Sequence, residues 1–118
     1  MIQTGLRALP AVLALTGAAF VATSSAPAAG DVSAERLLLD EARTAFASGD
    51  YAKSLERLDR HRTRFPAGVL SEEREALAVR ALAASGNKAD ATKRAHAFVA
   101  KYPESIMRPA VEAAVRDP

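Results

Sequence analysis

The strongest constraint in this sequence is a segment that occurs twice, 37 residues apart. Ser48-Gly49-Asp50 returns as Ser85-Gly86-Asn87, and Phe65-Pro66 returns as Tyr102-Pro103. A fixed period of this size is typical of stacked supersecondary units, each of which buries its apolar face only against its neighbours. The repeat therefore predicts an open stack of short elements rather than a single sheet or barrel.

Each copy has the sequence pattern of a helical hairpin. Apolar residues recur at the i, i+3, i+4, i+7 spacing of amphipathic helices. Gly49 and Gly86 end the first helix of each copy, because a residue without a Cβ adopts the left-handed conformation at little cost. Proline disfavours helical geometry in the residue before it, which ends each second helix. The predicted helices are 33–48, 51–64, 71–85 and 88–101, with a short terminal helix around Pro109.

The same spacing predicts which side chains are buried. Leu38, Ala42 and Ala45 form the buried face of the first helix, with Leu39 and Phe46 beside them. In the second helix the expected buried residues are Tyr51, Ala52, Leu55, Leu58 and the stem of Arg62. Glu35 falls outside the buried face of the first helix.

The first thirty residues have the composition of an export signal. Arg7 precedes the uncharged, mostly apolar segment Ala8–Ala22, and small residues follow as far as Gly30. An uncleaved anchor fits the same residues, although about 15 apolar residues is short against the ~20 that cross a bilayer. Either form places the remainder outside the cytoplasm. We therefore expect residues 1–30 to be a signal peptide or membrane anchor with a linker, and residues 31–118 to form a helical domain in the periplasm or outside the cell.

Composition argues against several kinds of site. The absence of cysteine excludes disulfides, thiol catalysis and cysteine-based zinc sites. Sixteen Lys and Arg against fourteen Asp and Glu is nearly balanced, which gives no support for nucleic-acid binding. Alanine-rich helices with few aromatic residues approach closely and leave little room for an interior pocket. We expect no cofactor.

The doubled pattern resembles the tetratricopeptide repeat, a helix–turn–helix unit of 34 residues. The matching residues are Ala42, Gly49-Asp50-Tyr51, Ser54 and Pro66 in the first unit, and Gly86-Asn87, Ala91 and Pro103 in the second. The aromatic-proline closings are similar to those in helical-repeat domains of bacterial envelope proteins, including outer-membrane assembly lipoproteins and the cell-division coordinator associated with the Tol-Pal system. The resemblance implies an all-α fold of two helical hairpins plus a short C-terminal capping helix.

In tetratricopeptide proteins the first helix of each unit lines a concave groove that holds an extended peptide or a partner helix. Carried over by position, the resemblance implies a groove lined by Arg36, Leu39, Arg43, Phe46, Glu73, Ala76 and Arg80. Arg43 and Arg80 are equivalent across the repeat, so their guanidinium groups could bind a carboxylate-bearing partner. The alternative is that both are ordinary solvated arginines.

A second candidate surface lies near the end of the second helix, where five basic residues cluster: Arg57, Arg60, His61, Arg62 and Arg64. The basic patch of Arg57, Arg60 and Arg64 could bind an anionic membrane or cell-wall surface. Cations in the last turns also stabilise the helix dipole, and Glu56 and Asp59 dilute their charge. A purely structural role is therefore the alternative.

No residue pattern indicates catalysis or metal binding. His61 and His96 are not equivalent in the repeat, and no third ligand stands at metal-binding spacing. Glu72-Glu73-Arg74-Glu75 is explained by the dipole at a helix start. A stack of repeats needs at least three units to bury a continuous core, and this sequence contains two units and one capping helix. The sequence therefore predicts a non-catalytic interaction module whose partner is another envelope protein or a second copy of itself.

Overall fold

The computed structural model describes residues 29–116, and this part of the chain is all-α. Five helices follow one another along the described range: α1 Ala29–Ala47, α2 Tyr51–Arg64, α3 Ser71–Ala84, α4 Lys88–Lys101 and α5 Arg108–Val115. The predicted all-α class is confirmed within these residues. The apolar segment Ala8–Ala22, on which the export prediction depends, lies outside them.

Helix ends agree closely with the sequence prediction wherever local signals are strong. The observed bounds of α2 and α4 are those predicted, and α3 ends one residue earlier than predicted. The first helix is different, because α1 begins at Ala29 instead of near Ser33. No helix within residues 29–116 is long and apolar enough to cross a membrane.

The turn between α1 and α2 is a Schellman motif. Gly49 has φ 81° and donates its amide hydrogen to the carbonyl of Phe46 at 3.0 Å. The Asp50 amide donates to the carbonyl of Ala45 at 2.8 Å. These two bonds satisfy carbonyl groups that the end of the helix leaves without intrahelical partners. The Asp50 carboxylate in turn accepts a hydrogen bond from the Lys53 amide at 3.1 Å, as expected of an N-cap.

The turn between α3 and α4 repeats this geometry 37 residues later. Gly86 has φ 92° and donates to Ala83 at 3.1 Å, while the Asn87 amide donates to Leu82 at 2.9 Å. Asn87 differs from Asp50 in one respect, because its side chain makes no cap hydrogen bond. The backbone of the two hairpin turns is nevertheless the same.

The equivalence continues into a third unit. The Gly68 amide donates to Phe65 at 3.0 Å and the Ser71 amide to Gly68 at 3.2 Å, where α3 begins. The corresponding bonds before α5 run from Ser105 to Tyr102 and from Arg108 to Ser105, both 3.1 Å. The backbone therefore enters α5 as it enters α3, and α5 occupies the position of a first helix in a third unit.

Two apolar clusters hold the described helices together, and α3 belongs to both. The first cluster consists of Leu39, Ala42, Leu58, Leu77 and Ala78. The second consists of Ala76, Val79, Ala95, Phe98 and Val111. Because α3 supplies residues to each, it is the central helix of the stack.

Ser54 links α1 to α2 through a buried hydrogen bond, since its hydroxyl donates to the Ala42 carbonyl at 2.9 Å. Its repeat equivalent, Ala91, is also fully buried. The predicted burial of Ala52 and the Arg62 stem is wrong, and Tyr51 and Leu55 are only half-buried. The α2 residues that are buried are Ser54, Leu58 and His61. They follow an i, i+4, i+7 stripe that leaves Ala52 and Arg62 exposed and Tyr51 half-buried.

Replacing Gly49 or Gly86 with alanine is expected to lower the free energy of unfolding by about 1 kcal/mol, because L-residues are strained in the left-handed region. A Cβ at either position meets nothing within 4 Å, so the backbone conformation is the only cost. Asparagine, which adopts this conformation more readily, should cost less. Urea unfolding followed by circular dichroism measures both effects. Equal losses for alanine and asparagine would contradict this explanation.

Candidate functional site

A groove lies between α1 and α3 and extends to the start of α5. It has a volume of about 270 Å³ and is lined by Arg43, Phe46, Glu73, Ala76, Leu77, Arg80 and Met107. We call it the α1–α3 groove. Five of the seven residues predicted to line a groove are among its lining residues, so the carried-over positions do converge on one surface.

Two of the predicted groove residues lie elsewhere. Leu39 is fully buried and packs in the first apolar cluster, so it cannot contact a partner. Arg36 is exposed on α1 but does not line the groove. Met107, which the sequence analysis did not single out, completes the wall near α5.

The two repeat-equivalent arginines have different partners. Arg43 donates to Asp40 Oδ1 and to Glu73 Oε2, both at 2.8 Å, so its guanidinium joins α1 to α3 across the groove. The Arg80 guanidinium carbon lies 4.9 Å from the centre of the Phe46 ring, in a cation–π contact. The pair therefore does not form a ladder of two equivalent cations.

A second hollow adjoins the α1–α3 groove. It has a volume of about 670 Å³, shares Glu73 and Met107 with the groove, and includes Glu72 and the loop before α5. Ile106 in that loop is 92% exposed, the largest exposure of any large apolar side chain in the described range. The two concavities meet at Glu73 and Met107, and the second one also includes Lys101 at the end of α4.

The basic patch is largely neutralised by neighbouring carboxylates. Arg57 donates to Glu41 at 2.9 Å and also pairs with Glu56. Arg60 pairs with Glu56 at 2.7 Å. Arg64 stacks on the Phe65 ring, with its guanidinium carbon 5.1 Å from the ring centre. The pairing of Arg57 and Arg60 with carboxylates reduces the net positive charge that this surface presents to an anion.

The most unusual feature of the interior is a buried cluster of three polar residues, Glu35, His61 and Arg74, one from each of the first three helices. His61 Nε2 lies 2.9 Å from Glu35 Oε1, and Arg74 Nη1 lies 3.3 Å from His61 Nδ1. Arginine can only donate, so Nδ1 accepts and Nε2 carries the hydrogen that is donated to Glu35. This buried cluster ties α1, α2 and α3 together.

Glu35 also caps the loop that precedes α3. Its carboxylate accepts hydrogen bonds from the Leu70 amide at 2.9 Å and the Val69 amide at 3.3 Å. This approach requires glycine at position 68, because a Cβ there would overlap Oε1 of Glu35. Burial raises the pKa of Glu35, but the hydrogen bonds from Leu70, His61 and Val69 outweigh it and leave the pKa below its usual value.

The hydrogen-bonded chain continues from the buried cluster to α4. Arg74 Nε donates to Glu75 at 2.8 Å, and Arg94 Nε donates to the other Glu75 oxygen at 2.9 Å. Burial raises the pKa of Glu75, and the two arginines more than compensate, so its pKa is also lowered. Four successive helices are therefore connected by one polar network.

We call the buried cluster, where α1, α2 and α3 meet, the first junction of the stack. The second junction is the equivalent place 37 residues later, where α3, α4 and α5 meet, and it is apolar instead. The equivalents of His61 and Arg74 are Phe98 and Val111, both buried in the second apolar cluster. In the loop before α5, the Met107 amide donates to Ser105 Oγ at 3.0 Å. Ser105 occupies the repeat position of Gly68, so this amide is capped by a residue of its own loop. The loop before α3 is thus stabilised by the carboxylate of Glu35, which is distant in sequence. The equivalent loop before α5 is stabilised by its own Ser105.

Sequence reasoning missed the buried cluster although a signal for it was present. By sequence, His61 belongs to a cluster of five basic residues and Arg74 to a charged helix start. The 37-residue period places both at positions where the second unit has core residues. Charged residues at core positions of a repeat indicate a buried polar network, because burial without partners would be too costly.

The buried cluster has no access to a substrate, since the His61 side chain is fully buried. His96 is separate, being exposed on α4 beside a hollow near α5. Within residues 29–116, no group of three His, Asp or Glu side chains is arranged to hold a metal ion. The α1–α3 groove is the concavity in which five of the predicted residues meet, and it is therefore the candidate site.

Comparisons with protein-family models, with curated proteins and with solved structures find no match for this chain. The functional interpretation therefore depends on the geometry described above.

Replacing Gly68 with serine is expected to lower the free energy of unfolding by about 2 kcal/mol, because the new Cβ displaces the buried Glu35 carboxylate. In a Glu35→Ala background the same change should cost much less, since the serine hydroxyl can cap the loop as Ser105 does. A double-mutant cycle by urea unfolding should give a coupling energy above about 1 kcal/mol. Additive losses would show that the two residues do not compete for one space.

Stability should fall in acid because of Glu35. Its pKa is lower in the folded chain than the ordinary value of 4.5, so protonation favours the unfolded state. The stabilisation that the ionised Glu35 carboxylate provides is complete above the ordinary pKa value. It is lost as pH falls through the pKa that Glu35 has in the folded chain. Unfolding free energies between about pH 5 and pH 3 should decline less steeply in Glu35→Gln. Glu104→Gln, at an exposed position, is the control and should keep the original slope.

Proposed function

We propose that this chain is a non-catalytic protein–protein interaction module, exported to the bacterial envelope, whose α1–α3 groove binds a segment of another envelope protein. The proposed architecture is tetratricopeptide-like: two helical hairpins followed by a first helix of a third unit. The observation that carries the proposal is that the groove is lined by α1, by α3 and by Met107, the N-cap residue that precedes α5.

Every residue that lines the groove comes from equivalent elements of the repeat. Arg43 and Phe46 lie on α1, four residues lie on α3, and Met107 is the N-cap residue of α5. No residue of α2 or α4 lines it. A surface formed only by first helices is the arrangement that helical-repeat proteins use for recognition, which supports the proposal.

The groove has the chemistry of a peptide-binding surface. Ala76, Leu77 and Met107 provide an apolar floor, and Phe46 is half-buried at its edge. Arg80 is exposed and contacts Phe46, with no carboxylate partner among the described residues. A segment that places an apolar side chain on the floor and a carboxylate near Arg80 would satisfy both features. The adjoining hollow would accommodate residues beyond it.

Binding to a membrane or cell-wall surface through the basic patch is the less favoured alternative. Two of its three arginines already pair with Glu41 or Glu56, which reduces the attraction to an anionic surface. Their pairing would have to break before they could bind phosphate or carboxylate groups.

The proposal is tested by affinity capture from a detergent-solubilised envelope, followed by calorimetry with the recovered partner. The double variant Arg80→Ala/Met107→Ala should weaken binding at least tenfold, about 1.4 kcal/mol, because it removes the exposed cation and part of the apolar floor. The matched control is Arg36→Ala/Leu37→Ala, which changes an exposed arginine and an exposed leucine on α1 outside the groove. Circular dichroism checks that each variant is folded.

Unchanged binding by the groove variant would contradict the proposal. Binding that is lost in Arg57→Gln/Arg60→Gln/Arg64→Gln, and that also falls with added salt on anionic vesicles, would favour the surface-binding alternative instead.

A further inference from the structure

The α3 side of the α1–α3 groove carries opposite charges at its two ends. Its lining residues on α3 recur at the i, i+3, i+4, i+7 spacing of one helix face and are Glu73, Ala76, Leu77 and Arg80. The sequence fixes their order along the helix: a carboxylate lies near the start of α3, two apolar side chains follow, and a guanidinium lies beyond them. The two charged ends are about 10 Å apart, because an α-helix rises about 1.5 Å per residue.

The adjoining hollow extends the negative end of the groove. Its lining includes three carboxylates, Glu72, Glu73 and Glu104, and one cation, Lys101. Glu73 is paired with Arg43 at 2.8 Å. Glu72 and Glu104 have no cationic partner among residues 29–116. The hollow therefore has an excess of negative charge, whereas the far end of the groove has an unpaired guanidinium.

The surface between the charged ends is apolar. Ala76, Leu77 and Met107 form the floor of the groove, and Ile106 adds a side chain that is 92% exposed on the side of the hollow. An apolar patch with charged residues around it is typical of an interaction site. The groove and the hollow together offer carboxylates, an apolar centre and a cation in a row.

We propose that the groove and the hollow bind one extended peptide segment that carries a lysine or arginine, an apolar residue and a carboxylate. The inference rests on the proposed function, because it names the chemistry of the segment that the groove binds. The basic side chain lies in the hollow, where its aliphatic stem packs on Ile106 and its charged head reaches Glu72 and Glu104. The apolar side chain lies on the floor, and the carboxylate pairs with Arg80.

The length of α3 between the charged ends determines the spacing within the segment. Glu72 and Arg80 are eight positions apart, which corresponds to about 12 Å along the helix. In an extended segment alternate residues face the same side, and each residue adds about 3.3 Å. Side chains at positions i, i+2 and i+4 therefore face the groove together and cover about 13 Å. A bound helix fits less well, because it is about 10 Å wide and the groove holds only about 270 Å³.

The probe is a library of short random peptides displayed on bacteriophage and selected on the immobilised full-length chain in mild detergent. The enriched peptides should share a basic and an acidic residue four positions apart, with an apolar residue midway between them. Calorimetry with the most enriched peptide then gives its dissociation constant. The variant Glu72→Gln/Glu104→Gln should raise that constant at least tenfold, because it removes both unpaired carboxylates.

The matched control is Asp90→Asn, which removes an exposed carboxylate from the first turn of α4, outside both concavities. It should leave the dissociation constant within twofold of the original. Replacing the basic residue of the peptide with norleucine should weaken binding to the original chain as much as Glu72→Gln/Glu104→Gln does. The same peptide should lose little more on that variant, because the two changes remove one interaction. Circular dichroism checks that each variant is folded.

The selection separates failure of this inference from failure of the proposed function. Peptides that lack the basic residue, or that bind Glu72→Gln/Glu104→Gln as tightly as the original chain, would overturn this inference alone if Arg80→Ala/Met107→Ala still abolishes their binding. Charged residues seven or eight positions apart would indicate a bound helix and would also overturn it. Peptides that bind Arg80→Ala/Met107→Ala unchanged, or a library from which none is enriched, would contradict the proposed function and this inference with it.

Discussion

The position of α1 depends on the buried carboxylate of Glu35. A buried charge is costly unless it is fully hydrogen-bonded, and this one is satisfied by His61 on α2 and by two amides of the loop before α3. Because these partners come from two different elements, α2 and the loop before α3, α1 can dock in one position only without leaving the charge unpaired. That position sets one wall of the α1–α3 groove, so the geometry of the candidate site follows from a residue that does not line it.

A comparison of the two junctions shows that this fold can also form with apolar side chains at the positions of the buried cluster. Phe98 and Val111 fill in the second junction the positions that His61 and Arg74 fill in the first. Replacing buried ion pairs with apolar residues often leaves stability unchanged or increases it. We therefore interpret the polar junction as a device for register and orientation, since hydrogen bonds are directional and apolar contacts are not.

Local signals made much of the fold predictable, and long-range contacts made the rest unpredictable. The ends of α2 and α4 follow from a glycine before each helix and a proline after it, and their predicted bounds are confirmed. The buried cluster joins residues 26 and 13 positions apart, which helical periodicity does not relate. Five groove residues were predicted because equivalent positions of a repeat share a surface. Leu39 does not line the groove as predicted, because the register of α1 places its side chain in the core.

The floor of the α1–α3 groove connects the two halves of the interior. Leu77 belongs to the first apolar cluster and Ala76 to the second, although the two residues are neighbours on α3. Arg43 and Glu73 join the walls above them. A partner bound in the groove would add contacts between α1 and α3, and a ligand that binds only the docked arrangement stabilises that arrangement by mass action. Under the proposed function, occupancy of the groove and integrity of the Glu35 junction would therefore be thermodynamically linked, because both depend on the same docking of α1 on α3.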